Sequence, residues 1–170
     1  ENIKDRIVST PPEYYINEET DRLLKRSSLE ENDILLVITG RTTGKVVVLS
    51  KDFIPSNTNQ GISFIRLKDK ETVQFTWYWL SSEIIQNQIK VTYTQSTQPN
   101  LSMEDLGNFH IPQPDLEEQT QIVEYLDEKT QKIDSTIEKE TQRTELLKEY
   151  RQSLISEVVT GKIDVRDYSG

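Results

Sequence analysis

The sequence contains no cysteine, one histidine and one methionine among its 170 residues. The lack of cysteine excludes disulfide bonds, thiolate metal ligands and cysteine nucleophiles in this chain. The single histidine, His110, argues against histidine-based metal sites and catalytic triads. No carboxylate pair, nucleophile–base set or metal-ligand cluster stands out, so we expect neither a catalytic site nor a metal site.

Long hydrophobic runs are also absent. No apolar segment approaches the roughly 18 residues that a membrane-spanning helix needs, and no signal-peptide pattern is present. Together with the lack of cysteine, this favours a cytoplasmic protein. The chain begins with Glu1 rather than Met, so the sequence leaves open whether residues precede it.

Negative charge predominates and is unevenly distributed. The formal net charge is −9 at pH 7, which argues against nucleic-acid binding through a general basic field. Residues 1–112 contribute a net charge of −3 and residues 113–170 contribute −6. The acidic excess is therefore concentrated in the second part, and specific nucleic-acid recognition would need a local basic strip.

The first part of the chain mixes strand and helix patterns. Two β-branched runs, residues 33–39 and 45–50, are typical of buried strands, and residues 61–67 are expected to form another. The spacing of apolar residues predicts a helix over residues 73–90, followed by an exposed loop over residues 91–100. A short helix with Ser102 as its N-cap is expected next. These patterns predict a mixed α+β globular domain.

The second part has the pattern of one long helix. Asp115 can cap its start, with Glu118 three residues further on, and neither glycine nor proline recurs before Gly161. About 45 helical residues would extend roughly 65 Å. The apolar residues repeat every seven positions, with a polar gap at Glu140 and Thr144, as in a coiled-coil seam. One helix cannot bury its own seam, so we expect a second helix against it.

A glycine-rich turn separates the first two predicted strands, in the stretch VITGRTTGKVVVLS over residues 37–50. A Walker A phosphate loop has four residues between its glycines, a Ser or Thr after the lysine, and a helix next. Here three residues separate Gly40 from Gly44. Val46 follows Lys45, and a β-branched run comes next, so we reject a nucleotide site. Two interpretations remain, a solvated hairpin and a loop that contacts a polyanion through Arg41 and Lys45.

Two stretches resemble a known family. TQPNLSMEDLGNFHIPQPDLEEQTQIVEYLDEKTQKIDSTIEK, followed by LLKEYRQSLISEVVTGKIDVRD, closely resembles the specificity subunits of type I restriction-modification systems. In that family an IP-x-P-x-LEEQ-x-x-IV exit precedes a long helix with LD-x-x-x-x-x-ID and LISE-x-VTGKIDVR. The resemblance is strong over residues 98–167. It is looser over residues 33–67, where DILLVITGRTTGK and NQGISFIRL look like the family's GDIL, G-x-x-GK and NQ segment.

The resemblance implies an architecture and a set of partners. Residues 1–114 would form a target recognition domain that reads one half of a split site in double-stranded DNA. Residues 115–160 would form a spacer helix in an antiparallel coiled coil, and residues 161–170 a C-terminal tail. Modification subunits, which bind S-adenosylmethionine, would dock on the helix, and restriction subunits would bind ATP. The chain itself would be non-catalytic and would bind no cofactor.

The chain departs from the family pattern by having one recognition domain and one spacer helix, where a full subunit has two of each. Either it is a half-subunit that forms a homodimer on a palindromic split site, or it is the C-terminal part of a longer chain. Its recognition domain also looks short at the N-terminal end. The rival interpretation is a coiled-coil interaction module without DNA specificity.

Candidate DNA contacts lie in three polar segments, although each segment is also compatible with an ordinary solvated loop. Arginine and lysine suit phosphates or guanine, asparagine and glutamine suit adenine, and threonine suits phosphates or thymine methyl groups. The candidates are Arg41, Thr42, Thr43, Lys45, Asn59, Gln60, Tyr93, Thr94, Gln95, Thr97 and Gln98. The predicted helix–helix contacts are Ile122, Leu126, Ile133, Ile137, Glu140, Leu147, Tyr150, Leu154 and Val158, with Arg143 as a cross-helix partner of Glu140.

Overall fold

The computed structural model describes residues 15–94 and 100–168, together with the backbone of two short strands near the N terminus. Those strands, β1 (Ile3–Lys4) and β2 (Ile7–Val8), pair antiparallel. The chain divides into two compact units, Glu1–Val123 and Glu124–Gly170. We call the first the globular unit; most of the second is one helix.

A short helix, α1 (Glu18–Leu23), precedes a three-stranded antiparallel sheet. Its strands are β3 (Ile34–Val37), β4 (Val46–Val48) and β5 (Ile62–Ile65), in the order β4–β3–β5. All four residues of the central strand β3 are buried, as an uninterrupted apolar run predicts. The three predicted strands are confirmed with shorter bounds.

Successive side chains of β3 enter two separate apolar clusters, because neighbouring residues on a strand point to opposite faces of the sheet. Ile34 and Leu36 pack against the helices that follow the sheet. Leu35 and Val37 pack on the other face with Leu29, Val47 and Leu49. Both faces of the small sheet are therefore covered, and the predicted mixed α+β class is confirmed.

The helix predicted over residues 73–90 is divided in two. Helix α2 (Val73–Ser81) ends at Ser82, whose backbone is extended (φ −66°, ψ 149°), and α3 (Glu83–Thr94) begins directly after it. The break turns Ile85 and Ile89 onto the core of the sheet. The prediction of one continuous helix was wrong, because serine competes for backbone hydrogen bonds and burial sets the direction of the second helix.

Side-chain caps begin the last two helices at the predicted residues. Helix α4 (Met103–Gly107) starts after Ser102, whose hydroxyl accepts from the Asp105 N–H (3.1 Å) while Asp105 Oδ2 accepts from the Ser102 N–H (2.8 Å). Helix α5 (Leu116–Val159) starts after Asp115, whose Oδ1 accepts a main-chain N–H three residues on (2.9 Å). These bonds satisfy donors that a helix start leaves unpaired.

Helix α5 ends as its glycine predicts. Gly161 has φ +75°, and the Lys162 N–H donates to the Glu157 carbonyl (2.8 Å), the pattern of a Schellman cap. The tail contains a turn closed by a hydrogen bond from the Tyr168 N–H to the Val165 carbonyl (3.0 Å). Among the described residues, no helix combines the length and apolar character needed to cross a membrane.

Candidate nucleic-acid interface

Three connecting segments meet at one end of the sheet. Because β3 is antiparallel to both neighbours, its carboxyl end lies beside the starts of β4 and β5. The Ile38 N–H donates to the Gly61 carbonyl and the Leu101 N–H donates to the Ile38 carbonyl, each at 2.9 Å. Thr39 and Asn100 form an isolated antiparallel bridge. We call this surface the loop end and define it as residues 39–45, 59–61 and 100.

The turn between β3 and β4 projects its tip into solvent. Gly40 and Gly44 have φ of +87° and +93°, a left-handed conformation that glycine adopts without strain. The Gly44 N–H donates to the Val37 carbonyl (2.9 Å) and closes the base of the turn. Arg41 and Thr42 are exposed at the tip. A strand rather than a helix follows, in agreement with the rejection of a phosphate-binding loop.

The other two candidates on this turn differ from each other. Thr43 is half-buried, and its hydroxyl donates to the Gly40 carbonyl (2.7 Å), so this side chain supports the turn itself. Lys45 is exposed, while its carbonyl accepts from the Val37 N–H (2.9 Å). The structure therefore brings two exposed cations, Arg41 and Lys45, onto one short turn.

The second candidate segment, Asn59 and Gln60, lies directly before β5. Both residues are exposed. The Gly61 N–H donates to Asn59 Oδ1 (2.8 Å), so Asn59 shapes a local turn. This role is compatible with the alternative interpretation of the segment as an ordinary solvated loop. A Cβ at Gly61 would lie 3.1 Å from Thr39 Cγ2. The second segment thus packs closely against the residue that leads into the first.

The structure describes only the two ends of the third candidate segment. Tyr93 and Thr94 belong to α3 rather than to a loop, so the loop prediction was wrong for residues 91–94. The helix continues because no glycine or proline intervenes before Pro99. The chain rejoins the described residues at Asn100, within the loop end. Three candidates lie outside the described residues: Gln95, Thr97 and Gln98.

The segments that reach the loop end contain no acidic residue. Asp and Glu are absent from residues 34–51, 53–68 and 84–103. Within these segments the loop end carries Arg41 and Lys45, although the whole chain has a net charge of −9. The lack of acidic residues in these segments can be read from the sequence. The net charge summed over residues 1–112 hides it, because acidic residues elsewhere in the same range dominate the sum.

The opposite end of the sheet holds an ion-pair cluster that the sequence reasoning missed. Asp33 is fully buried, and Arg66 donates to both of its oxygens, from Nε (2.8 Å) and from Nη2 (2.7 Å). Arg66 Nη1 also lies 2.7 Å from Glu30 Oε1. Burial acts to raise the pKa of Asp33. Hydrogen bonds from Arg66 and from the Glu30 N–H lower it, and so does the positive charge of Arg66. The net result is a pKa below the usual range of aspartate.

A cleft of about 440 Å³ lies beyond this same end of β5. Its lining is mostly apolar and includes Phe75, Trp79 and Phe109, with no charged residue. Gln119 Nε2 donates to the Pro114 carbonyl (2.9 Å), while Gln119 Oε1 is buried without a hydrogen-bond donor among the described residues. Over the described part of the chain, no group of three His, Asp or Glu side chains could hold a metal ion.

Helix α5 exposes the apolar stripe that the sequence predicts, and none of its residues is buried. Glu140, in the polar gap, lies 3.7 Å from Arg143 Nη1 on the same helix, so their cross-helix pairing stays a prediction. The other predicted contact residues are all exposed or half-buried: Ile122, Leu126, Ile133, Ile137, Leu147, Tyr150, Leu154 and Val158.

The stripe is wider near the end of α5 than near its start. At about 100° per residue, the apolar side chains from Leu116 to Ile137 span roughly 180° of the circumference; they are Leu116, Ile122, Val123, Tyr125, Leu126, Ile133 and Ile137. From Leu146 to Val159 the apolar side chains span roughly 220°. The members of this wide stripe are Leu146, Leu147, Tyr150, Leu154, Ile155, Val158 and Val159.

The fold and the site define a mixed α+β domain, with a loop end free of acidic residues, joined to one long helix with an exposed apolar stripe. Residues 11–149 match the family described as type I restriction modification DNA specificity domain. The match covers most of the chain, and the chain belongs to this family.

Two relatives are specificity subunits of type I restriction enzymes. The EcoBI specificity subunit of Escherichia coli is 28% identical over 149 residues, which cover 87% of this chain and 31% of that protein. The MjaVIII specificity subunit of Methanocaldococcus jannaschii is 29% identical over 164 residues, 94% of this chain and 36% of that protein. The chain therefore spans about a third of the length of these relatives.

Proposed function

We propose that this chain recognises DNA within a type I restriction-modification complex, and that its loop end reads one half of a split site in double-stranded DNA. One observation carries the proposal. The chain is acidic overall, yet the segments that reach the loop end lack acidic residues and expose Arg41 and Lys45. Phosphate contacts require local cations and an absence of repelling carboxylates. Membership of the DNA specificity domain family supports the same function.

The shape of the β3–β4 turn suits contact with a duplex. Its two left-handed glycines allow a narrow turn, which presents Arg41 and Thr42 at the tip. An arginine can donate two hydrogen bonds to guanine O6 and N7, or to a phosphate. Asn59 Oδ1 already accepts the Gly61 N–H, so a base contact by Asn59 would use its Nδ2 group. Gln60 and the segment from Tyr93 to Gln98 complete the proposed reading surface.

Helix α5 would assemble the complex. Burial of its stripe on the antiparallel helix of a second copy would remove exposed apolar side chains from water. Such a pair has two-fold symmetry and would present two loop ends to the two halves of a palindromic split site. A longer chain that contains two such domains and helices would reach the same arrangement within one molecule.

The wide stripe near the end of α5 supports a further partner. One packed helix covers a stripe of roughly 100°, whereas residues 146–159 expose roughly 220°. Helices of the modification subunits would cover the remainder. In this assembly the modification subunits carry S-adenosylmethionine and methyl transfer, the restriction subunits carry ATP, and this chain supplies no catalytic group. We place the complex in the cytoplasm.

Sequence-dependent methylation tests the proposal. The chain is co-expressed with the modification subunit of the same system, and plasmid DNA from those cells is read by methylation-aware sequencing. We expect methylated bases within one recurring split sequence, and none when this chain is omitted. Methylation without sequence preference, or an assembled complex that never methylates, would contradict the proposal.

A double variant, Arg41→Ala with Lys45→Ala, separates DNA recognition from the rival function of a coiled-coil interaction module. A module that binds protein alone would assemble with the modification subunit and leave the methylation pattern unchanged by this variant. We expect normal assembly with strongly reduced methylation, because the variant removes two exposed cations and leaves α5 intact.

A further inference from the structure

A glutamine side chain from α3 supports the base of the β3–β4 turn. Gln86 is half-buried, and its Nε2 donates to the Gly44 carbonyl (2.9 Å) and to the Leu80 carbonyl (2.8 Å). Both N–H groups of one carboxamide are therefore used. The side chain connects the turn to the last part of α2, although it belongs to neither element.

The break between α2 and α3 explains why Leu80 accepts this bond. The last carbonyls of a helix have no intrahelical donor and need other partners. Because α2 ends at Ser82 and α3 starts again at once, Gln86 lies one turn into the new helix, with its own N–H donating to the Ser82 carbonyl (2.9 Å). The helix break thus fixes the backbone from which this side chain reaches the turn.

Gly44 and Gln86 fit each other closely. A Cβ at Gly44 would lie 2.9 Å from Gln86 Oε1 and 3.4 Å from Ile89 Cγ2. Gly44 is also buried and has φ +93°. Glycine is therefore favoured here by its backbone conformation, and a Cβ at this position would also displace the Gln86 carboxamide.

The tip of the turn, by contrast, is open. A Cβ at Gly40 would meet nothing within 4 Å, and Arg41 and Thr42 are exposed. The direction in which this tip points is therefore set at its base, where Gly44 contacts α3.

We propose that Gln86 is a positioning residue for DNA recognition, which fixes the β3–β4 turn so that Arg41 and Thr42 meet the duplex in one orientation. This inference rests on the proposed function. Gln86 itself does not contact DNA. Its loss would lower discrimination between DNA sequences more than it lowers general affinity, since phosphate attraction tolerates a displaced cation and base contacts do not.

The test compares Gln86→Met, which keeps the length of the side chain and removes both donors, with Gln88→Met as a matched control. Gln88 is a glutamine on the same helix and is exposed. The full chain, assembled with its modification subunit, first selects binders from a pool of random duplexes. We expect Gln86→Met to lower the ratio of affinity for the selected duplex over the random pool about tenfold. Gln88→Met should leave that ratio unchanged.

Amide hydrogen exchange supplies a readout that is independent of DNA. We expect faster exchange at residues 43–45 in Gln86→Met, with unchanged exchange in the centre of β3. Gln86→Glu is the second variant, for use if Gln86→Met does not fold. It keeps the volume of the side chain and removes both donors. Gly44→Ala should be less harmful in a Gln86→Ala background than in the wild type, since the colliding atom is then absent.

The outcomes separate the two proposals. If the wild-type complex selects no sequence from the pool, the proposed function fails and the inference falls with it. If the wild type selects a sequence, and Gln86→Met and Gln86→Glu both keep the wild-type ratio of affinity for the selected duplex over the random pool, Gln86 has no positioning role. Loss of the ratio without faster exchange in the turn would also overturn the inference, because the loss would then arise elsewhere.

Discussion

In the globular unit the central strand β3 buries all four of its residues, whereas α5 buries none of its 44. The sheet has an apolar cluster on each face, made from residues of the same unit. The helix carries a regular apolar stripe, and its predicted contact residues remain partly or largely exposed. The globular unit is therefore stabilised by its own contacts, while the helix leaves an apolar stripe exposed, which is the pattern expected of a surface that packs on another helix.

The comparison also separates the two proposed tasks. We assign recognition, as proposed above, to the loop end of the globular unit, where short loops are tied to a buried strand by backbone hydrogen bonds. We assign assembly to the apolar stripe of α5, which the proposed second helix would bury. Substitutions in one region should therefore leave the other task intact, and the following predictions test that separation.

The largest effect is expected from Leu154→Glu in α5. Leu154 occurs twice in a two-fold dimer, and each buried leucine contributes about 2 kcal/mol. The dimer dissociation constant should therefore rise roughly a thousandfold. Sedimentation velocity measures the change. The tryptophan fluorescence of the globular unit should stay unchanged, since both tryptophans, Trp77 and Trp79, lie in α2.

Ser156→Glu is the matched control, because it introduces the same charge on the opposite face of α5 and should leave the dimer nearly unaffected. If the wild type and Leu154→Glu sediment identically as monomers at high concentration, the helix does not mediate self-association. The two regions would then no longer differ in the way described above.

The long helix was predicted from the sequence almost completely. Its start at Asp115, its end before Gly161 and its seven-residue stripe all follow from local rules of capping and spacing. These rules act between residues a few positions apart, so the sequence displays them directly. The partner proposed to cover the stripe follows only from the family resemblance, because exposed apolar side chains do not specify which helix packs on them.

The globular unit was predicted less completely. Its strands and the glycine-rich turn between β3 and β4 followed from the sequence pattern, but the break at Ser82 and the cluster of Asp33 with Arg66 did not. Gln86 was also missed as a support of the turn. The ion pair and the Gln86 contact depend on residues far apart in the chain, 33 positions for Asp33 with Arg66 and 42 for Gln86 with Gly44. Sequence spacing alone does not reveal such contacts.

Arg66→Met should produce the next largest effect, and on the globular unit alone. It would leave the buried Asp33 carboxylate without its cation, which costs about 3 kcal/mol of unfolding free energy. Urea denaturation monitored by tryptophan fluorescence measures the loss. Adding Asp33→Asn should recover part of it, because the unpaired charge is then removed.

Arg22→Met provides the control for this variant. Arg22 pairs with Glu18 at 3.5 Å, but both side chains are at least 80% exposed, so its loss should change stability by less than about 0.5 kcal/mol. An equal effect of the two variants would show that burial of Asp33 does not determine the strength of the pair.

Acid should weaken the globular unit through the same carboxylate. The folded-state pKa of Asp33 lies below its usual range, so its stabilising contribution is fully present above the unfolded pKa and is lost as the pH falls through the folded one. Unfolding free energy should therefore decrease as the pH falls below about 5, through the usual aspartate pKa and then through the lower folded one. Asp33→Asn should flatten this slope, and a pH dependence that the variant leaves unchanged would assign the slope to other carboxylates.

Asp105 is the matched carboxylate for that measurement. Hydrogen bonds from the Ser102 hydroxyl and N–H lower the pKa of Asp105 as well, so its contribution has the same sign. Asp105 is only half-buried in the short helix α4, whereas Asp33 is fully buried. Asp105→Asn should therefore remove less of the slope than Asp33→Asn does.

The smallest effect, and the most informative about recognition, is expected from Arg41→Ala at the loop end. Removal of one phosphate contact should weaken DNA binding by the assembled complex about fivefold and lower the slope of log affinity against log salt by about one. Lys68→Ala is the control, because Lys68 is an exposed cation beyond the opposite end of β5. Fluorescence anisotropy over a salt series measures both quantities. Equal effects of the two variants would mean that DNA responds to the charge of the whole unit, whereas an effect of Arg41→Ala alone would locate DNA at the edge where the acid-free segments meet.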